Sequence, residues 1–185
     1  MRKRLLLVTG SPGVGKTTVL LKVVEALKSR GYGVGGMISR EVRSMGKRIG
    51  FEILDLTNGR TGWLASISYH GGPQVGRYRV NLSDLNDVGV RAVVEADQSL
   101  DAVIVDEIGP MELLSSRFRE AVTKVAEGRK LVICTIHWKM RSNLTEDIRK
   151  REDAEMYAVT YENREKLPQT VFAKALDFLS GTNAQ

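Results

Sequence analysis

Apolar positions follow two rhythms along the chain. Unbroken runs recur in "KRLLLVT" at 3–9, "GVGGMIS" at 33–39, "DAVIVDE" at 101–107, "KLVICTI" at 130–136 and "AEMYAVT" at 154–160. Such runs predict strands covered on both faces, as in a parallel sheet. Between them apolar residues recur at helical spacing, which predicts helices over 16–30, 84–97, 115–127, 143–151 and 166–179. Val19, Leu20, Val23, Val24 and Leu27 form the buried stripe of the first helix, which Gly31 ends. Phe118, Val122 and Val125 share one face of the third. Asp84 lies near the start of the second, where a carboxylate suits the helix dipole. Strands alternating with helices give an α/β fold: a mostly parallel sheet flanked by helices, with right-handed crossovers. The glycines in the 33–39 run are poor strand formers and predict close backbone approach.

The rhythm breaks between 40 and 82. "RIGFEILDLTNGRTGWLASI" predicts two strands joined at Asn58-Gly59, a strong hairpin signal, and "GRYRVNL" at 76–82 a further antiparallel strand. Residues 40–82 are therefore read as an antiparallel β-rich insert at one edge of the core. The insert is too short to stand as a separate domain, and 185 residues suit one domain spanning 1–185.

Composition narrows the setting. No run nears the ~20 apolar residues of a membrane span, so no membrane partner is expected. The opening "MRKRLLLVTG" has too short an apolar stretch for a secretory leader, and residues 2–4 are read as a basic lead-in to the first strand. The single cysteine, Cys134, excludes an internal disulfide, suits a cytoplasmic setting and is placed in the core. With only two histidines beside it, a structural zinc site lacks soft ligands. A net charge of +6 leaves nucleic acid open as a partner without favouring it, because Trp63, Tyr69, Tyr78 and Trp138 form no basic–aromatic ladder. "GTNAQ" at 181–185 is read as a frayed tail, and oligomeric state is left open.

Two stretches carry chemistry. "GSPGVGKT" at 10–17 has the G-x-x-x-x-G-K-[ST] spacing between a predicted strand and a predicted helix. Gly10, Gly13 and Gly15 let the turn Gly10, Ser11, Pro12, Gly13, Val14 and Gly15 wrap tightly and point N–H groups inward at phosphates, at the positive end of the helix. Lys16 reaches the β- and γ-phosphates and Thr17 offers its hydroxyl to Mg²⁺. Thr18 either contacts the α-phosphate or is helix surface. This spacing, with its lysine, is not that of a dinucleotide fingerprint. The second stretch is "AVIVDEIGPMEL" at 102–113, where an apolar strand ends in Asp106 and Glu107, on the ligand-binding rim of such a sheet. Asp106 is assigned to the Mg²⁺ shell, and Glu107 to orienting and deprotonating a water, which favours hydrolysis over transfer. Glu112 is either part of this group or a helix cap.

Four stretches, "TGSPGVGKTT", "EVRSMGKRIGFEILDL", "VDEIGPMEL" and "YENREKLP", occur in this order over nearly the whole chain. In them the sequence resembles the THEP1 nucleoside-triphosphatase family, called cancer-related NTPase in animals. The resemblance implies a RecA-like P-loop NTPase core with the 130–136 strand between the phosphate-loop strand and the Asp106 strand. It implies Mg²⁺-dependent hydrolysis of ATP, GTP, CTP, UTP or TTP to diphosphate and phosphate, with weaker action on diphosphates. It carries nucleotide contact over to Gly10–Thr17 and to Val103, Ile104, Val105, Asp106, Glu107, Ile108, Gly109 and Pro110. The family commonly has lysine where this chain has Pro110. It also raises Arg43 and Arg48 as pattern positions.

Arg43 and Arg48 are the candidates for stabilising charge on the transferring phosphoryl group, against the alternative of a solvated hairpin edge. His137 and Thr135 are candidate γ-phosphate sensors on the same rim as Glu107, with a hydrogen-bonded structural role the favoured reading of His137. Asn163 and Arg164 lie in a strand-to-helix loop that either reaches the base and ribose or ties down the last helix. The alternatives to hydrolysis are a nucleotide or small-metabolite kinase and a nucleotide-dependent RNA- or protein-binding module. "HWKMRSNLTEDIRKRED" is the nearest stretch to a kinase lid, and it is short.

Overall fold

A computed structural model describes residues 2–182. Strand β1 (Leu5–Thr9) leads through the glycine turn into α1 (Lys16–Ser29), then β2 (Val34–Ser44), β3 (Lys47–Asp55) and β4 (Thr61–Ser66). Two short strands, β5 (Gln74–Val75) and β6 (Tyr78–Val80), precede α2 (Leu82–Asp84), a π-helical segment (Leu85–Val90) and α3 (Arg91–Ser99). Then come β7 (Ala102–Ile108), a 3₁₀ turn (Glu112–Leu114), α4 (Ser116–Glu127), β8 (Leu131–Ile136), α5 (Asn143–Lys150), β9 (Ala154–Ala158) and α6 (Leu167–Thr182).

Among the described residues nine strands form one sheet in the order β5-β6-β4-β3-β2-β7-β8-β1-β9. From β2 to β9 neighbours run parallel, with β8 between β1 and β7 as the resemblance implies. From β2 to β5 they run antiparallel. The insert is thus an extension of the core sheet. Residues 34–37 of β2 pair with β7, and its remainder pairs with β3.

The unbroken apolar runs are explained by two cores, one on each face of the sheet. Leu5, Leu7, Val103, Val105, Val132 and Cys134 point to the side of α3, α4 and α5, while Leu6, Val8, Ala102, Ile104, Leu131 and Ile133 point to the side of α1 and α6. Each fully buried leucine contributes about 1.5–3 kcal/mol from removal of its side chain from water. Burial pushes the Cys134 thiol up to about 12, consistent with its place in the core.

Three expectations change. The helix expected at 84–97 begins at Leu82, is capped by Asn81 and holds the π segment, while Asp84 accepts a hydrogen bond from the Trp63 N–H. The basic lead-in hides a structural residue: Arg4 is buried, pairs with Asp153 at 2.8 Å and donates to the carbonyls of Val125, Ala126 and Lys130. At the end of the chain, Gly181 and Thr182 are the last turn of α6, and the rest of the expected tail, 183–185, lies outside the described residues.

The predicted close approach at the 33–39 glycines is present. A Cβ on Gly36 would lie 2.1 Å from the Ile104 carbonyl oxygen of β7, and the residue holds φ +114°. Gly36→Ala is expected to destabilise the protein by at least ~2 kcal/mol, through overpacking plus a disfavoured backbone angle, read as a lowered urea midpoint.

Candidate active site

The glycine turn, the carboxyl ends of β7 and β8, and the inner face of β2–β4 enclose a cavity of about 510 Å³. Gly15 starts α1 with φ +111°, leaving the N-terminal N–H groups of the helix free to meet an anion. Gly10 is packed against the chain just after β9, since a Cβ there would lie 2.8 Å from the Val159 oxygen. Val14 is a core residue, whereas Ser11, Pro12 and Gly13 are exposed on the turn. Lys16 folds back over the turn and donates to the carbonyls of Gly10 at 3.2 Å and Ser11 at 3.4 Å. Its ammonium also lies 3.8 Å from Glu107 Oε2. The next residue, Thr18, lines the cavity too.

The acidic pair reaches this cavity by an irregularity in the sheet. Val105 pairs with Cys134 and Ile108 with Ile136, so Asp106 and Glu107 stand together opposite the single residue Thr135. Adjacent residues of a regular strand face opposite ways, and a bulge of this kind re-aims them. Both carboxylates therefore line the cavity. The Thr17 hydroxyl donates to Asp106 Oδ2 at 2.6 Å, and the Thr135 hydroxyl donates to Oδ1. Thr135 is thus held by Asp106.

Burial raises Asp106 to about 6, against the two hydroxyl donors and Lys16, with Glu107 adding to the rise. Burial also raises Glu107, and the nearby Lys16 ammonium opposes that rise. Glu112 is buried on the same wall and pushed up to about 8, by burial first and then by the charges of Glu107 and Asp106. It does not cap α4, which Ser115 caps by accepting from the Phe118 N–H.

His137 lines the cavity just beyond β8, and its buried Nδ1 has no hydrogen-bond partner among the described residues, contrary to the hydrogen-bonded role expected. Burial, then the charges of Lys16 and Lys139, lower its pKa, so the ring is neutral at pH 7.

The remaining candidates divide. Arg48 lines the cavity and is fixed by Tyr78 Oη at 2.9 Å and Glu41 Oε1 at 2.5 Å. Arg43 does not line it: its guanidinium turns to Glu41 and the Gly46 carbonyl at the hairpin end. Val103, Ile104, Val105 and Ile108 are buried in the core, while Pro110 lines the cavity and Gly109 packs between Glu107 and Glu112. Asn163 ties its own loop, accepting from the Thr160 N–H and donating to the Ala158 carbonyl. Arg164 lies 5.2 Å above the Tyr161 ring, with its Cδ 3.9 Å from where a Cβ of Gly15 would be.

Sequence reasoning missed Phe51, Leu64 and Met111 in the cavity wall, because their register against the site depends on the insert's pairing. Among the described residues no helix is long and apolar enough to cross a membrane.

A family model described as NTPase matches residues 5–172. The chain is 46% identical over 163 residues to a nucleoside-triphosphatase THEP1 of Thermofilum pendens, covering 88% of this chain and 90% of that protein. It is 40% identical over 169 residues to the nucleoside-triphosphatase THEP1 of Methanocaldococcus jannaschii, covering 91% and 95%. The crystal structure of THEP1 from Aquifex aeolicus aligns with a TM-score of 0.78 at 30% identity, over 91% of this chain and 97% of that one. The solution structure of a human cancer-related nucleoside triphosphatase aligns with a TM-score of 0.77 at 34% identity, over 94% and 96%.

Lys16 is the cation nearest the turn and the carboxylates. Lys16→Ala is expected to lower phosphate release from ATP by at least ~10²-fold, as for loss of a group that stabilises transition-state charge. A malachite-green assay beside a thermal melt separates this loss from unfolding.

Proposed function

The chain belongs to the THEP1-type nucleoside-triphosphatase family and is an NTP-hydrolysing enzyme, and we propose that it cleaves ATP, GTP, CTP, UTP and TTP alike, with Mg²⁺ as cofactor and Glu107 as the base. One observation carries the mechanism: the Glu107 carboxylate faces the same cavity as Lys16, 3.8 Å away, and as the bonded pair Thr17–Asp106.

Mg²⁺, when bound, neutralises charge on the β- and γ-phosphate oxygens. Thr17 and Asp106 are the residues that would hold it, and their donor chemistry fits: a hydroxyl and a carboxylate, already in contact, offer hard oxygen ligands. Among the described residues no three His, Cys, Asp or Glu are grouped around a metal position. Such a site suits Mg²⁺, which keeps water and phosphate oxygens as most of its ligands.

Lys16 and the free N–H groups of α1 bind the β- and γ-phosphates and hold the terminal phosphorus toward the cavity. Glu107 accepts a proton from a water in line with that phosphorus. The water oxygen bonds to phosphorus as the bond from phosphorus to the bridging oxygen breaks, releasing the diphosphate. Burial supports the role, because a raised carboxylate is a better base than a solvated one. The neutral His137 ring beside it offers a further hydrogen bond to the water or a phosphate oxygen. Arg48, immobilised by Tyr78 and Glu41, supports the reading of a fixed positive charge on the cavity wall.

Broad base tolerance follows from where the contacts lie. Phosphates, common to all five substrates, take the turn and the helix end. At the outer side of the turn, Arg164 over Tyr161 presents a stacking surface, and stacking accepts any base face.

Glu107→Gln is expected to reduce phosphate release by about 10²–10⁴-fold while nucleotide binding survives, the range for loss of a general base. Phosphate release from the five triphosphates, with and without Mg²⁺ and with no acceptor added, is expected to be Mg²⁺-dependent and similar for all. Turnover that requires an acceptor would point to a kinase instead.

A further inference from the structure

Glu112 is a buried carboxyl at the site to which the hydrolytic steps above give no task. It opens the 3₁₀ turn after β7 and is 4% exposed. The position a Cβ would take on Gly109 lies 2.9 Å from Glu107 Oε1 and 2.9 Å from Glu112 Oε2. The two carboxyl groups therefore flank one glycine, and that of Glu112 also accepts from the backbone N–H groups of Gly109 and of Glu112 itself. Lys16 meets Glu107 from the other direction, at Oε2. The two oxygens of Glu107 thus have different neighbours: a cation that also belongs to the phosphate turn, and a second carboxyl behind.

We propose that Glu112 is a positioning residue for Glu107: its carboxyl group steadies the Oε1 side from behind, so that Oε2 stays turned to the phosphates and water when Lys16 moves onto a bound triphosphate. This rests on Glu107 being the base. The charges facing Glu112 are Glu107 and Asp106, both on β7, and its cavity is shared with Lys16, Arg40, Glu41, Arg48 and His137. Held near 8, the group is neutral at pH 7 and carries an O–H that a carboxylate neighbour can accept. Ionisation removes that donor and places a second negative charge against Glu107. The positioning effect is therefore present below about 8 and lost as pH rises through it.

The test compares Glu112→Ala, Glu112→Gln and Glu107→Gln in steady-state Mg-ATP hydrolysis across pH, with binding of a fluorescent ATP analogue as the check on folding. Glu112→Ala is expected to lower kcat roughly 10–100-fold with KM within about twofold, the signature of a misplaced reacting group. The parent is expected to lose kcat as pH rises through about 8, and Glu112→Gln, whose amide N–H replaces the O–H, to recover most of the loss seen in Glu112→Ala and to lack that alkaline fall. A merely structural role would not remove that fall. Parent kcat in Glu112→Ala, a Glu112→Gln as slow as Glu112→Ala, or an alkaline fall persisting in Glu112→Gln would each overturn the proposal. If Glu112→Ala does not fold, the pH profile of Glu112→Gln decides. A fully active Glu107→Gln means that the base itself has been misassigned, whereas a slow Glu107→Gln beside a fast Glu112→Ala defeats this inference alone.

Discussion

At the rim of the sheet, Asp106 and Glu107 of β7 stand opposite only Thr135 of β8. The rest of the site depends on this unequal pairing. With regular pairing one carboxylate would face the cavity and its neighbour the opposite side of the strand. The bulge keeps both on the cavity side and leaves Thr135 against Asp106, which the Thr17 hydroxyl meets from α1. The start of α1 and the acidic strand end are thereby joined by one hydrogen-bonded carboxylate. Pairing resumes at Ile108–Ile136, so the distortion is local and the flanking core keeps its packing.

Three carboxyl groups then crowd one partly closed space. An ionised carboxylate that is buried without partners is too costly to persist, so each must find a donor, find a cation or stay neutral. The site uses all three answers. Asp106 accepts from two hydroxyls, Glu107 faces Lys16, and Glu112, near 8, keeps its proton at pH 7. This division fits the roles we propose: a carboxylate fixed by hydroxyls suits a metal shell, one opposed by a lysine suits accepting a proton, and a neutral one suits holding its neighbour.

What was legible in the sequence was what local pattern determines. The runs ending in Thr9, Asp106 and Ile136 need both faces covered, so their place in a parallel sheet could be read from composition alone. The phosphate turn was legible because its chemistry is backbone geometry at a fixed spacing. Features set by pairing between distant segments were not. Nothing in "VDEIG" announces that two of its residues will share one partner on β8, and nothing near Glu112 tells that a turn will bury it beside Glu107. The π segment is similar: there Gly89 packs beneath Met37, and the Asn86 side chain accepts from Ser115, the cap of α4. These contacts join elements far apart in the chain. Arg43 and Arg48 separate for the same reason: they are opposed on a hairpin whose register shifts beside them, and only Arg48 is drawn inward, by Tyr78 of a third strand.

The insert gives the cavity its character. Because β3 and β4 continue the core sheet, their inner residues Phe51 and Leu64 form a wall held by ladder hydrogen bonds and by the edge-on contact of Phe51 with Tyr78. A wall built this way has no need to close for its charge to be in place: Arg48 is held over the Phe51 ring at 5.2 Å and bonded on two sides before any substrate arrives. Preorganised charge costs no reorganisation during the reaction. A kinase, by contrast, gains from a lid that expels water around its acceptor. A fixed wall around a cavity of about 510 Å³ leaves room beside Glu107 for a water, the reactant that hydrolysis requires.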